Sequence, residues 1–295
     1  MALLPYLRLT RPPNLLTSVS DIWAGAALSG VLAGLGKDAH LVSSFLWLSL
    51  ASVFLYAGGV VMNDVFDAEL DRVERPERPI PSGLVTPKAA TIWGCMLLAA
   101  GILAAAVTGA ASGVIALAVA LTALAYDRWG KHQAVLGPVN MGLCRGFNLL
   151  LGMSISVGAI AHVGWTAIVP VIYIGAITLI SRGEVHGSDR SSLGTAFVFY
   201  GVVTGIIGAV ALCKGRLLQA LPFLILFLVM VLPPLIRAFR SPTGPRIGKA
   251  VKAGVLALIL LNASWVAAAA GLSWALATAL LLPVSIWIAR SFQVT

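Results

Sequence analysis

Asn63, Asp64, Asp67 and Asp71 are spaced so that a helix carries them along one side. Steps of three and four residues keep the three aspartates on a single face, spread over about 10 Å at ~1.5 Å rise per residue. Carboxylates stacked in this way repel one another. A hard divalent cation relieves the repulsion, and Mg2+ characteristically takes one or two carboxylates and completes its shell with substrate phosphates. Just downstream, Arg72, Arg75 and Arg78 recur at every third position before Pro79 and Pro81 force a loop. Guanidinium forks match phosphate oxygens, so carboxylates for a metal beside arginines for phosphate describe a diphosphate site. The competing reading is a solvated helix end laced with Glu/Arg pairs, which contribute little. The one-faced spacing argues against it for the aspartates, whereas Glu69, Glu74 and Glu77, on other faces or in the loop, fit it.

Six of the eleven acidic residues fall between Asp64 and Glu77. Two further polar segments interrupt the apolar chain, YDRWGKHQ at residues 126–133 and SRGEVHGSDR at residues 181–190. Ionisable groups close to or inside apolar spans are costly and tend to line cavities. One of them, Arg145, lies within a span near Asn140 and Asn148. It is expected to face the interior, where contact with a substrate and a tie between helices are both open readings.

The elements that must position these groups are membrane spans. Of 295 residues, 59% are hydrophobic and 11% charged, with a mean hydropathy of +0.96, against roughly 25% charged in soluble domains. Apolar runs of the ~20 residues that cross a ~30 Å hydrocarbon core as helix are read at 14–36, 42–65, 89–109, 111–126, 134–159, 163–181, 194–213, 217–237, 249–270 and 272–290. They are too long, and too little alternating, for membrane strands. The expectation is an all-α bundle of nine or ten transmembrane helices forming one integral-membrane domain over residues 1–295. Residues 1–11 read as a short interfacial segment without the features of a cleaved leader. Cys95, Cys144 and Cys213 all fall in spans and read as small buried apolar residues.

Basic residues near span ends fix the orientation. With the N-terminus in the cytoplasm, sixteen Lys and Arg face that side and three, Lys37, Lys214 and Arg216, the other. Both termini and all three polar segments are therefore expected at the cytoplasmic face of a bacterial membrane. The net charge of +9 is then a polarised face that meets lipid head groups and anionic substrates. It does not read as a nucleic-acid footprint, since no basic stripe with interleaved aromatics sits on a soluble module.

Asn63-Asp64-x-x-Asp67-x-x-x-Asp71, followed by Arg78-Pro79-Ile80-Pro81-Ser82-Gly83, resembles the first signature of the UbiA superfamily of intramembrane prenyltransferases. Arg11-Pro12-Pro13-Asn14 resembles that family's entry into its first helix, with Asn14 and Ser18 on the face of Asp21. Tyr126 with Arg128 and Lys131 resembles the segment after its fourth helix, and Gly183 to Thr195 its second acidic signature. The loop SRGEVHGSDR is similar to the EboC-like branch of the superfamily. This chain departs from the second signature in offering only Glu184 and Asp189, five residues apart, with His186 beside them. Such a step turns ~140° on a helix, so convergence needs the segment to bend at Gly183 and Gly187.

The resemblance implies Mg2+-dependent transfer of a prenyl group from an isoprenyl diphosphate to a small, expectedly aromatic, acceptor. It implies metal ligation by Asn63, Asp64, Asp67, Asp71, Glu184 and Asp189, and diphosphate binding by Arg11, Arg72, Arg78, Arg128 and Arg190. Tyr126 and Lys131 would be catalytic, Tyr126 by shielding an allylic cation through its π face. Close packing through Gly30-x-x-x-Gly34 is expected to help wall a lipid-accessible groove. The rival reading is a non-catalytic lipid-binding or transport component that keeps the fold while its second motif decays.

Overall fold

The expected spans fold as helices in a computed structural model that describes residues 3–184 and 190–292, and no strand occurs among the described residues. A short helix, α1 (Leu3–Leu9), turns at Arg11 into α2 (Pro12–Leu28). Pro12 stands at the first helical position, where a missing N–H is harmless. Then come α3 (Ala39–Phe66), α4 (Ala68–Glu74), α5 (Pro87–Ala106), α6 (Ala110–Arg128), α7 (Leu136–Met153), α8 (Val157–Val163) and α9 (Ile168–Ser181). The described chain ends with α10 (Arg190–Cys213), α11 (Leu217–Arg240), α12 (Gly244–Ala270), α13 (Leu272–Ala279) and α14 (Leu281–Phe292).

Eight helical runs among the described residues are long and apolar enough to cross a membrane. The run Leu136–Ser181 is 46 residues long and contains two of the expected spans, while α2, with 17 residues, serves as another. The protein is thus a multi-pass membrane bundle, for which nine or ten spans is an approximate count. Leu46 and Leu50 of α3, Met96 and Leu103 of α5, and Val114 and Leu121 of α6 face outward. On a soluble surface they would form an adhesive patch; here they meet lipid.

Two expectations need correction. The first span stops at Leu28 instead of residue 36, because Gly30 takes φ 80°, a conformation open to glycine, and starts a short 3-10 turn. Nothing lies within 4 Å of where a Cβ on Gly30 would sit, whereas one on Gly34 would meet Leu41 Cδ1 at 2.9 Å, so Gly30 serves the turn and only Gly34 packs closely. The cysteines are also less enclosed than expected: Cys95 and Cys213 are exposed on outward faces and Cys144 is half-buried. A small apolar thiol is as comfortable against lipid as in a core.

Close helix packing occurs instead where α2 crosses α7. A Cβ on Gly25 would lie 2.3 Å from the carbonyl oxygen of Leu149, and one on Gly152 would lie 2.4 Å from that of Ile22. Glycine is what lets the two backbones touch. Around this crossing runs a buried polar network. The Arg145 guanidinium donates to Asp21 Oδ2 and to Thr17 Oγ1, both at 2.9 Å. Asn148 Nδ2 donates to Asp21 Oδ2 at 2.9 Å, and Asn262 Nδ2 donates to Asp21 Oδ1 at 2.7 Å. Ser52 of α3 closes the set by donating to Asn148 Oδ1 at 2.9 Å. Arg145 thus joins α7 to α2 within a network that also takes in α12 and α3. Pinning these four helices fixes where their cytoplasmic ends lie.

Candidate active site

At those ends α3 runs past the apolar core and its hydrogen-bond ladder continues across a soft joint. Asp67 N–H donates to Asn63 O at 2.9 Å and Asp71 N–H to Asp67 O at 2.8 Å, although Asp67 itself leaves helical geometry with φ −91° and ψ 2°. Asn63, Asp64, Asp67 and Asp71 thus follow one another through the joint between α3 and α4, with Asp64 and Asp71 buried.

Each aspartate is matched by a cation. Arg78 Nη1 sits between Asp71 Oδ2 at 2.6 Å and Asp64 Oδ1 at 3.3 Å. Arg11 Nη2 donates to the same Asp64 Oδ1 at 2.6 Å. Asp67 accepts from Lys131, which lies on the 3-10 turn Gly130–His132 after α6. Arg78 is carried by the folded Arg-Pro-Ile-Pro-Ser-Gly loop, whose Ile80 and Val85 anchor in a small core with Leu9, Ala57 and Val61. Arg11 reaches Asp64 from a left-handed backbone, φ 47° and ψ 64°. That conformation costs a non-glycine residue on the order of 1–3 kcal/mol and gathers at functional positions. Burial opposes the Arg11 charge, but Asp64, helped by Tyr56 and Asp71, holds the guanidinium above its usual pKa.

The three polar segments meet here. Arg75 Nη2 lies 3.7 Å from Glu184 Oε2, joining the first to the third. Arg182 donates to the carbonyl oxygens of Gln133 and Ala134, the latter at 2.9 Å, joining the third to the second. Partial burial raises the Glu184 carboxyl above its ordinary pKa, against the pull of Arg75. Not every expected residue joins the cluster. Arg72 pairs with Glu69 at 2.9 Å in an exposed i,i+3 pair, Arg128 stacks over the Trp129 ring at 5.7 Å, and Arg190 is exposed at the start of α10. Tyr126 is half-buried on α6, one residue before Asp127. Asp189, His186 and Gly187 lie outside the described residues.

Among the described residues no three His, Cys, Asp or Glu side chains converge as a metal site. The ladder instead delivers a pair, Asp64 and Asp71, bridged by one guanidinium nitrogen, with Asp67 turned to Lys131. The guanidinium seated between the two carboxylates shows that their oxygens converge on one point of positive charge, and two carboxylates with substrate phosphate oxygens form a normal Mg2+ shell. The donor set therefore fits Mg2+.

Two residues escaped the sequence reading. Asp127, at the end of α6, is buried and accepts from Asn63 Nδ2 at 2.8 Å; in sequence it lay in the polar segment 126–133 with no role assigned. Tyr56 of α3 lies under the Arg145 guanidinium at 4.8 Å. Its position seven residues before Asn63, two helical turns deeper on the same face, was a readable signal.

The profile of the UbiA prenyltransferase family matches residues 23–182. The chain belongs to that family. It is accordingly a prenyltransferase, as the motif resemblance implied. A UbiA relative from Hyperthermus butylicus, named digeranylgeranylglyceryl phosphate synthase, is 30% identical over 227 residues, covering 74% of this chain and 74% of its own. The solved apo structure of a UbiA homologue from Aeropyrum pernix K1 superposes with a TM-score of 0.69 at 14% identity, covering 94% of this chain and 98% of that one. A UbiA homologue from Archaeoglobus fulgidus, solved with DMAPP and Mg2+, superposes at 0.60 with 15% identity, over 86% and 98% of the two chains. At these identities the two structures establish the shared fold.

Proposed function

We propose that this UbiA protein transfers a prenyl group from an isoprenyl diphosphate to a small acceptor at the cytoplasmic face of the membrane, using Mg2+, with the chain acting as one domain. The observation that carries the reading is Arg78 seated between Asp64 and Asp71, with Arg11 on the same Asp64 oxygen. Carboxylates and guanidinium groups here neutralise each other in pairs, and a metal-bound diphosphate presents the complementary pairing to both sets.

Asp64, Asp71 and Asp67, with Asn63 as a neutral oxygen donor, would hold Mg2+, and Glu184 lies close enough to Arg75 to join the same charge network. Bound there, the ion supplies Lewis-acid stabilisation of the negative charge on departing diphosphate. Arg11, Arg78 and Lys131 turn to phosphate oxygens and orient the leaving group. The bond between the allylic carbon and the diphosphate oxygen breaks with its electron pair on the oxygen. Tyr126 offers a π face to the cation left behind. The apolar helices exclude water until the acceptor attacks and gives up its proton.

The named relative's product is a glyceryl phosphate bearing two geranylgeranyl groups, which favours a glyceryl phosphate hydroxyl over an aromatic carbon as acceptor. The relatives being archaeal, nothing restricts the membrane to a bacterial one. Membranes containing the intact protein, incubated with geranylgeranyl diphosphate, Mg2+ and either acceptor class, are extracted and analysed by mass spectrometry beside the Asp64→Ala form. A prenylated product that needs Mg2+ and vanishes in the variant is expected; equal product from both forms would overturn the proposal.

A further inference from the structure

We infer that Asp127 is a positioning residue, locking the Asn63 side chain so that its carbonyl oxygen, and not its NH2 group, remains the open end beside the aspartate ladder. The inference rests on the proposed Mg2+-dependent reading of the ladder and assigns a part to a residue outside its motif. Asp127 stands on α6 and Asn63 on α3, and the contact between them spans 64 positions of sequence. Asn63 Nδ2 donates to Asp127 Oδ1 at 2.8 Å, and Asp127 is buried, with 3% of its surface exposed.

An amide side chain presents two ends of nearly equal shape and opposite polarity. Left without a directing partner, Asn63 is free to turn its NH2 toward a cation site, where it would repel a metal. A carboxylate oxygen accepts the hydrogen bond, so Asp127 Oδ1, facing Asn63, engages the NH2 end. Trigonal geometry at the amide carbon then sends Oδ1 to the other side. A ligand oriented by an acidic neighbour is a recurrent feature of metal sites, and loss of the neighbour typically weakens metal binding by about 10–100-fold. Around this contact the other charged groups are already committed: Lys131 is bound to Asp67, and Asp64 to Arg11 and Arg78. Asp127 is thus the carboxylate placed to set the amide and not the ion pairs.

The test uses purified full-length protein in detergent, with Mn2+ as a spectroscopic stand-in for Mg2+ and inorganic diphosphate present. Mn2+ binding is read by electron paramagnetic resonance and folding by thermal denaturation. Asp127→Ala is expected to weaken Mn2+ binding about tenfold, and Asn63→Ala by a similar factor. Because the two act as one unit, the double variant should bind no more weakly than Asn63→Ala alone. Asp127→Asn, which keeps an acceptor oxygen but also offers an NH2, should fall between wild type and Asp127→Ala; it carries the test if the alanine variant does not fold. Unchanged Mn2+ binding in the Asp127 variants, or full additivity with Asn63→Ala, would overturn the inference. Asp64→Ala separates it from the reading beneath: retained Mn2+ binding there would sink the metal site itself, whereas lost binding there with unaffected Asp127 variants would sink only the positioning role.

Discussion

Asp21 with Arg145, and Asp64 with Arg78, pair the same two side chains at hydrogen-bonding distance, yet the protein builds them in different ways. Asp21 receives donors from three residues on two other helices, Arg145 and Asn148 from α7 and Asn262 from α12, and the ensemble is sealed by backbones touching at Gly25 and Gly152. Asp64 and Asp71 receive guanidinium groups, delivered by a loop and by a strained turn at Arg11. Side chains held by regular helices at a fixed crossing cannot change partners without moving the bundle. Those held at helix ends by loops can. The difference separates a structural tie from a binding site, although composition and charge are alike.

The sharpest way to break the comparison is to treat both pairs alike. Removing one partner of a buried pair leaves an uncompensated charge and costs about 3–5 kcal/mol. Arg145→Leu is therefore expected to lose most folded protein, seen as a collapse of the monodisperse peak on size-exclusion chromatography. Survival of that peak with loss of activity alone would make Arg145 a substrate contact. Asp64→Ala should do the reverse: a melting temperature in detergent much nearer wild type, and prenyl transfer reduced by about 10²–10³, as for removal of a single transition-state stabiliser. Gly152→Ala probes the seal. With its Cβ 2.4 Å from the Ile22 carbonyl oxygen, it should destabilise by about 1–3 kcal/mol through overpacking, while the metal dependence of any remaining activity stays unchanged.

The site was more legible in the sequence than the tie, and the reason is geometric. Asn63, Asp64, Asp67 and Asp71 lie close together in sequence at steps of three and four, so a common face follows from spacing alone, and Arg78 is only seven residues from Asp71. The network at Asp21 joins residues 124 to 241 positions apart, and which helix meets which is decided by packing. Arg145 announced itself as interior by being charged within a span, but nothing local named Asp21 as its partner. Span positions were readable from apolar runs, whereas the end of α2 depended on Gly30 acting as a turn, and a glycine in an apolar run reads equally well as a packing residue. Asp127 was hidden for the same reason as Asp21: its partner lies on another helix.

The smallest expected effect tests how far the phosphate-binding face extends. Arg72 and Arg78 occupy equivalent places in a three-residue repeat, and from sequence both were candidates for diphosphate. In the structure Arg72 pairs with exposed Glu69 while Arg78 bridges two buried aspartates. A surface pair of the first kind contributes about 0–1 kcal/mol, and a charge-assisted contact to a bound group about 1.5–3 kcal/mol. Arg78→Ala should raise KM for the isoprenyl diphosphate by about tenfold or more, since 1.4 kcal/mol corresponds to a factor of ten. Arg72→Ala should leave KM and melting temperature close to wild type. If Arg72→Ala raises KM as much as Arg78→Ala, the arginine turns inward when substrate binds, and the repeat would have to be read as a second grip that closes over the diphosphate.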